Sequence, residues 1–175
     1  MRVLIAAAVS VLLSISASAL ETGKKLPALE ISQNDGGLVD GNPFKSEDLK
    51  GKVTVIFYVD PDKKDLNEEF VERLKEEKFD RNHYRSVAII NMQATWMPNF
   101  AIEAALKSKQ KKFPNAIYVK DKAKKGVEVW GVSDDDANII VIDSDGIVRY
   151  VRSGKIPESE YETIFSLIRN EISKL

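Results

Sequence analysis

From residue 53 onward the chain alternates between short apolar runs and longer stretches in which apolar residues recur every third or fourth position. Val53, Thr54, Val55, Ile56, Phe57, Tyr58 and Val59 form an almost unbroken β-branched and aromatic run. Such a run predicts a strand buried on both faces. Asp60-Pro61-Asp62 ends it. Leu66, Phe70 and Leu74 then recur at helical spacing, with Phe79 at the far end, which predicts a helix over residues 64–78. A strand follows over 86–92, then a helix over 101–111 with Ile102, Ala105 and Leu106 on one side. Further strands are predicted over 116–120, 138–142 and 147–151. Between the last two lies Asp143-Ser144-Asp145-Gly146, a hairpin turn signal. Pro157 opens the final helix, with Glu158 and Glu160 near its positive end. Its stripe of Tyr161, Ile164, Phe165, Ile168 and Ile172 needs an apolar partner, because each such side chain contributes about 1.5–3 kcal/mol when fully buried. Upstream, residues 20–45 are polar and turn-rich, with one or two short strands expected, around 28–31. Ser46-Glu47-Asp48-Leu49 suggests a single helical turn capped by Ser46, broken by Lys50-Gly51-Lys52.

The order is strand, helix, strand, helix, strand, hairpin, helix. Crossover helices imply parallel strands, and the hairpin adds an antiparallel pair. The economical solution is an α/β domain with a mixed central β-sheet flanked by helices. No internal repeat, low-complexity linker or second domain interrupts it.

Composition removes whole classes of chemistry. The 175 residues include no cysteine, which excludes disulfides, dithiol exchange, thiolate catalysis and cysteine zinc sites. A single histidine, His83, leaves almost no material for a histidine metal cluster. With 26 basic and 27 acidic residues the chain has no global field for nucleic acid.

The first residues read as an address. Arg2 precedes an apolar run over 3–15, and Ser16-Ala17-Ser18-Ala19 carries an A-x-A pattern. That order predicts a secretory signal peptide over 1–19, cleaved after Ala19, and a mature domain over 20–175. The uncharged stretch barely reaches the ~18 residues a membrane span needs, so no stable anchor is expected after cleavage. The expected compartment is the periplasm.

The residues also carry a resemblance. Asp48-Leu49-Lys50-Gly51-Lys52-Val53-Thr54-Val55-Ile56-Phe57-Tyr58 is similar to the approach to the active-site motif of thioredoxin-like and peroxiredoxin-like proteins. Asn138-Ile139-Ile140-Val141-Ile142-Asp143-Ser144-Asp145-Gly146 resembles their closing hairpin. Tyr84 to Asn91, Ala105 to Pro114 and Val129-Trp130-Gly131 extend the likeness, over nearly all of 20–175, to the YtfJ family of periplasmic thioredoxin-like proteins. The resemblance implies a thioredoxin-like fold. It places Asp62 and Asp65 where redox-active relatives carry their two cysteines, within Asp60-Pro61-Asp62-Lys63-Lys64-Asp65. It places Ala137 where they carry a cis-proline. A carboxylate cannot attack a disulfide, so dithiol exchange is impossible here. A cis bond before a residue other than proline costs about 2.5–4 kcal/mol, so Asp136–Ala137 is expected to be trans.

Asp60, Asp62 and Asp65 could join Asp134, Asp135 and Asp136 in a hard-cation site if the fold brings the two loops together. The alternative, which the lysines and Pro61 favour, is that Asp62 or Asp65 caps the following helix. Lys107, Lys109, Lys111, Lys112, Lys120, Lys122, Lys124 and Lys125 form a basic stretch, either a patch for an anionic partner or membrane headgroups, or a solvated face. Trp96, Met97 and Phe100 form either an exposed protein-binding spot or packing against the sheet edge. Trp130 is expected to pack inside the domain while bordering the former redox site.

The resulting expectation is an exported, redox-inactive binding or accessory module with no cofactor and no resident metal. Its interaction face is expected around Asp60, Asp62, Lys63, Lys64, Asp65, Trp130, Asp134, Asp135, Asp136 and Ala137, meeting a periplasmic protein or small ligand. The alternative is a cysteine-independent or cation-dependent enzyme using the aspartate-rich loops. Transcriptional regulation, a label attached to the family, is opposed by the leader and by the absence of a helix-turn-helix or a strongly basic face.

Overall fold

The computed structural model describes residues 20–175, so the expected signal peptide lies outside the described residues. The chain folds into β1 (Glu30–Ile31), β2 (Gly36–Leu38), β3 (Phe44–Lys45), β4 (Val53–Val59), α1 (Glu68–Glu76), β5 (Tyr84–Asn91), α2 (Asn99–Lys112), β6 (Ile117–Asp121), α3 (Lys125–Trp130), β7 (Ala137–Ile142), β8 (Val148–Ser153) and α4 (Glu158–Ile172). Six strands form one mixed sheet in the order β2-β6-β5-β4-β7-β8. β4, β5 and β6 run parallel, whereas β2, β7 and β8 pair antiparallel with their neighbours. β1 and β3 form a separate two-stranded ribbon.

Strand β4 sits at the centre because it has something to bury on both sides. Its side chains alternate across the sheet. Val53 and Val55 join Phe70, Leu74, Ile139, Val141, Tyr161, Ile164, Phe165 and Ile168 in a core covered by α1 and α4. Phe70 stacks on Phe165 at 5.4 Å and meets the edge of Tyr161 at 5.3 Å between ring centres. Ile56 and Tyr58 point the other way, into a second core with Val87, Ile89, Val119, Trp130 and Ile140. Leu26, Leu29, Ile31, Phe44 and Leu49 close that face from the N-terminal segment. A smaller cluster of Met92, Ile102 and Leu106 seats α2.

The five main strands and three of the helices lie near their predicted positions, and the hairpin turns on Asp143, whose carboxylate accepts from Asp145 N and Ile147 N, both at 2.9 Å. Asp136–Ala137 is trans, as are all peptide bonds among the described residues. Two expectations change. Ser46 is not a helix cap: its hydroxyl accepts from the buried Leu29 N–H at 2.8 Å, which would otherwise lack a partner. The helix expected over 64–78 begins only at Glu68, after a 3-10 turn over Pro61–Lys63. The N-terminal segment holds three short strands, β1, β2 and β3, against the one or two expected, and helix α3 lies outside the predicted elements. β2 is three residues rich in glycine, and α3 is six residues with no sustained periodicity.

Helix α3 is fixed by one side chain. Asp121, fully buried, accepts from Ala123 N and Lys125 N through Oδ1 and from Gly126 N through Oδ2. The Tyr58 hydroxyl donates to the same Oδ2 at 3.0 Å. Gly126 lies so close to the Tyr58 ring that a Cβ there would stand 2.2 Å from Cε2. Helix propensity alone favours alanine over glycine by about 1 kcal/mol. Overpacking against a buried ring outweighs that, so Gly126→Ala is expected to lower stability by about 2 kcal/mol, read as a shifted urea midpoint at unchanged slope.

Candidate functional site

Three parallel strands end at the same edge of the sheet, and β7 begins there. The segments after β4, β5 and β6 therefore meet the 131–136 loop at one end of the molecule, the edge where open α/β sheets present their sites. The β4–β7 ladder reaches Val59 opposite Ala137, and the next step is Asp60 N–H donating to the Asp136 carbonyl at 3.0 Å. The fold thus brings the two aspartate-rich loops together.

They do not make a cation cluster. Asp60 is buried and its Oδ1 accepts from Asp62 N at 2.8 Å, capping the 3-10 turn. Burial raises its carboxyl above the usual range, opposed by that N–H and reinforced by the charges of Asp62 and Asp135. Asp134 is engaged on both oxygens. Oδ1 accepts from the buried Asn91 side chain at 2.7 Å and Oδ2 from Lys124 Nζ. The Lys124 hydrogen bond pulls the Asp134 carboxyl below the usual range, with Asn91 adding, and lifts the Lys124 amine. Asp136 is turned onto its own chain, Oδ1 accepting from Ala137 N at 2.8 Å. Among the described residues no three His, Asp or Glu side chains are grouped to hold a metal ion.

The expected helix cap is also placed differently. Asp62 and Asp65 are exposed and neither caps α1. Asn67 stands at the N-cap, yet its side chain reaches across to the segment joining β8 to α4, donating to Gly154 O at 3.0 Å and accepting from Ile156 N at 2.8 Å. Long-range anchoring of the α4 entry takes priority over local capping. Trp130 borders no solvent. It is 0% exposed and its indole N–H donates to Pro27 O at 2.9 Å, so it supports the loop end from beneath. Ala137 is buried in the ladder. The residues left facing outward are Asp62, Lys63, Lys64, Asp65 and Asp135, with Asp134 and Asp136 partly exposed.

Sequence reasoning missed the polar residues under this surface. Asn138 is buried and donates to Tyr58 O and Ser133 O while accepting from Ser133 N, which ties the 131–136 loop to β4. Asn91 and Asp121 close the C-terminal ends of β5 and β6. Tyr58 is held unionised by burial, with the Asp121 charge adding. The available signal was a polar residue at the end of each apolar strand, where an unpartnered buried group would be costly.

Comparison with known proteins identifies this scaffold. A family described as bacterial protein of unknown function (YtfJ_HI0045) matches residues 20–171. The chain belongs to the YtfJ family. An uncharacterised Haemophilus influenzae protein is 28% identical over 158 residues, covering 85% of each chain. The uncharacterised protein YtfJ of Escherichia coli K12 is 25% identical over 162 residues, covering 88% of each. The fold is thioredoxin-like. A crystal structure of a putative thiol:disulfide interchange protein DsbE from Chlorobium tepidum matches with a TM-score of 0.64 at 17% identity, over 88% of this chain and 99% of that one. A thiol peroxidase from Chromobacterium violaceum matches with a TM-score of 0.64 at 12% identity, over 88% and 89%. In this YtfJ-family chain the scaffold stands without a single cysteine.

The Asp134 contacts predict a pH signature. A carboxyl whose pKa is depressed on folding adds stability above its unfolded pKa of about 3.9 and loses it as pH falls through the lower folded value. Asp134→Ala is expected to cost about 1–2 kcal/mol at pH 7, mostly by stripping the buried Asn91 amide of a partner. Urea titrations of both proteins should show that difference narrowing below pH 4.

Proposed function

We propose that this YtfJ-family protein is an exported, redox-inactive binding or accessory module of the periplasm. The observation that carries the reading is the framework at the former redox site. Asp60, Asn91, Asp121, Asp134 and Asn138 spend their polar groups fixing loops, and the exposed Asp62, Lys63, Lys64, Asp65 and Asp135 stand on that framework. A surface held this firmly, with no thiol to work with, suits recognition rather than thiol chemistry. Export is supported by Arg2, the apolar run and the A-x-A pattern at 17–19. The structure of BsSco, a member of the Sco family of cytochrome c oxidase assembly proteins, matches with a TM-score of 0.56 at 14% identity. It is an analogy at the level of fold for accessory use of this scaffold, and it names no partner for this chain.

The test is a photo-crosslinking residue at Lys63 in cells of the source organism, followed by fractionation and mass analysis. The expected result is a processed chain beginning at Leu20, in the periplasmic fraction, joined to one reproducible partner. Asp62→Ala with Asp65→Ala should reduce the yield about fivefold, as loss of surface charge contacts implies. Capture of nothing at Lys63, or a yield indifferent to both aspartates, overturns the assignment of the face. Retention of Met1 overturns export.

A further inference from the structure

Two of the three large hydrophobic side chains exposed among the described residues are four positions apart. Trp96 is 91% exposed and Phe100 76%. Both stand where the loop after β5 enters α2, and Met97 between them is only half-buried, packed against the cluster that seats the helix. Helix α2 is anchored by Ile102 and Leu106. On the opposite side, at 100° per residue, Phe100, Ala104, Lys107 and Lys111 fall in one stripe, all four exposed. Lys109 and Lys112 are exposed beside it. The one carboxylate on the helix, Glu103, is already paired with Lys122 at 2.7 Å, which pulls it below the usual range. None of Lys107, Lys109, Lys111 and Lys112 joins an ion pair among the described residues; Lys112 lies over the Phe113 ring at 5.3 Å.

We infer that this aromatic tip and lysine stripe dock the protein reversibly on an anionic phospholipid surface. Protein interfaces share the exposed aromatics but are enriched in arginine and depleted of lysine. Here every cation on α2 is lysine. Tryptophan and phenylalanine beside a lysine face instead match interfacial amphipathic elements, in which the rings enter the headgroup boundary and the amines meet anionic lipid. The tip is two rings that stand almost wholly in solvent at the helix entry, as insertion into a fluid headgroup boundary requires. The contact uses the α2 side and does not depend on the loop face at Asp62, so each proposal can fail alone.

The test uses the protein as processed by its own cells, with vesicles of phosphatidylcholine alone or with 30% phosphatidylglycerol. Trp130 is buried, so a blue shift of tryptophan emission on mixing reports Trp96. The expected result is co-sedimentation with the anionic vesicles, weakened about tenfold by Lys107→Gln with Lys111→Gln and by raising salt from 50 to 500 mM. Trp96→Ser with Phe100→Ser should remove both the blue shift and the co-sedimentation while leaving the far-UV spectrum and melting temperature unchanged. Binding that is equal on the two vesicle types, binding that survives the Trp96/Phe100 double substitution, or no binding at all overturns the inference. So does a crosslinker at Trp96 that captures a soluble protein while the vesicles capture nothing.

Discussion

The pairing of β4 with β7 sets the functional end of the molecule. It runs from Thr54 to Val59 and then hands over to the Asp60 N–H and the Asp136 carbonyl. Because β4 is central and flanked on both sides, a slip of one residue would move Ile56 and Tyr58 out of one core and Val53 and Val55 out of the other. The register is therefore strongly enforced. Enforcing it also fixes which two loops meet and which residues, Asp60 and Asp136, form the junction.

Below that junction, buried polar groups hold the loops in place in a chain with no cysteine for a disulfide. Asp121 gathers three backbone N–H groups and the Tyr58 hydroxyl, Asn138 binds the 131–136 loop on both its carbonyl and its amide side, and Asn91 holds Asp134. Each is a satisfied buried group, and removing one partner leaves the other exposed to a desolvation penalty of about 1–3 kcal/mol. This arrangement fixes the loop end of a thioredoxin-like fold in a chain that carries no cysteine.

Much of the fold was readable because apolar patterns are long-range commitments. The β-branched run of β4 and the Tyr161-to-Ile168 stripe have no stable place except in a core, and they are buried as expected. The site was read less well, for the same physical reason. Asp60 and Asp62 look alike in sequence, yet one caps a turn in the interior and the other faces solvent. Trp130 borders the site in sequence but is drawn beneath it by the Pro27 carbonyl, a partner more than a hundred positions away. Asn67 caps nothing locally because Gly154 and Ile156 claim its side chain. Polar residues take their roles from tertiary partners, and periodicity does not encode those partners.

Backbone amide hydrogen exchange in the native protein, resolved residue by residue by NMR, tests the central claim most directly, namely that the loop end is a fixed frame without thiol chemistry. Asp60 and Gly126, bonded to the Asp136 carbonyl and to the Asp121 carboxylate, should exchange within about tenfold of Ile56 in the central strand. Exchange of Asp60 and Gly126 at the rate of an open, solvent-exposed loop would contradict the account, because the surface above them would then have no framework to hold it.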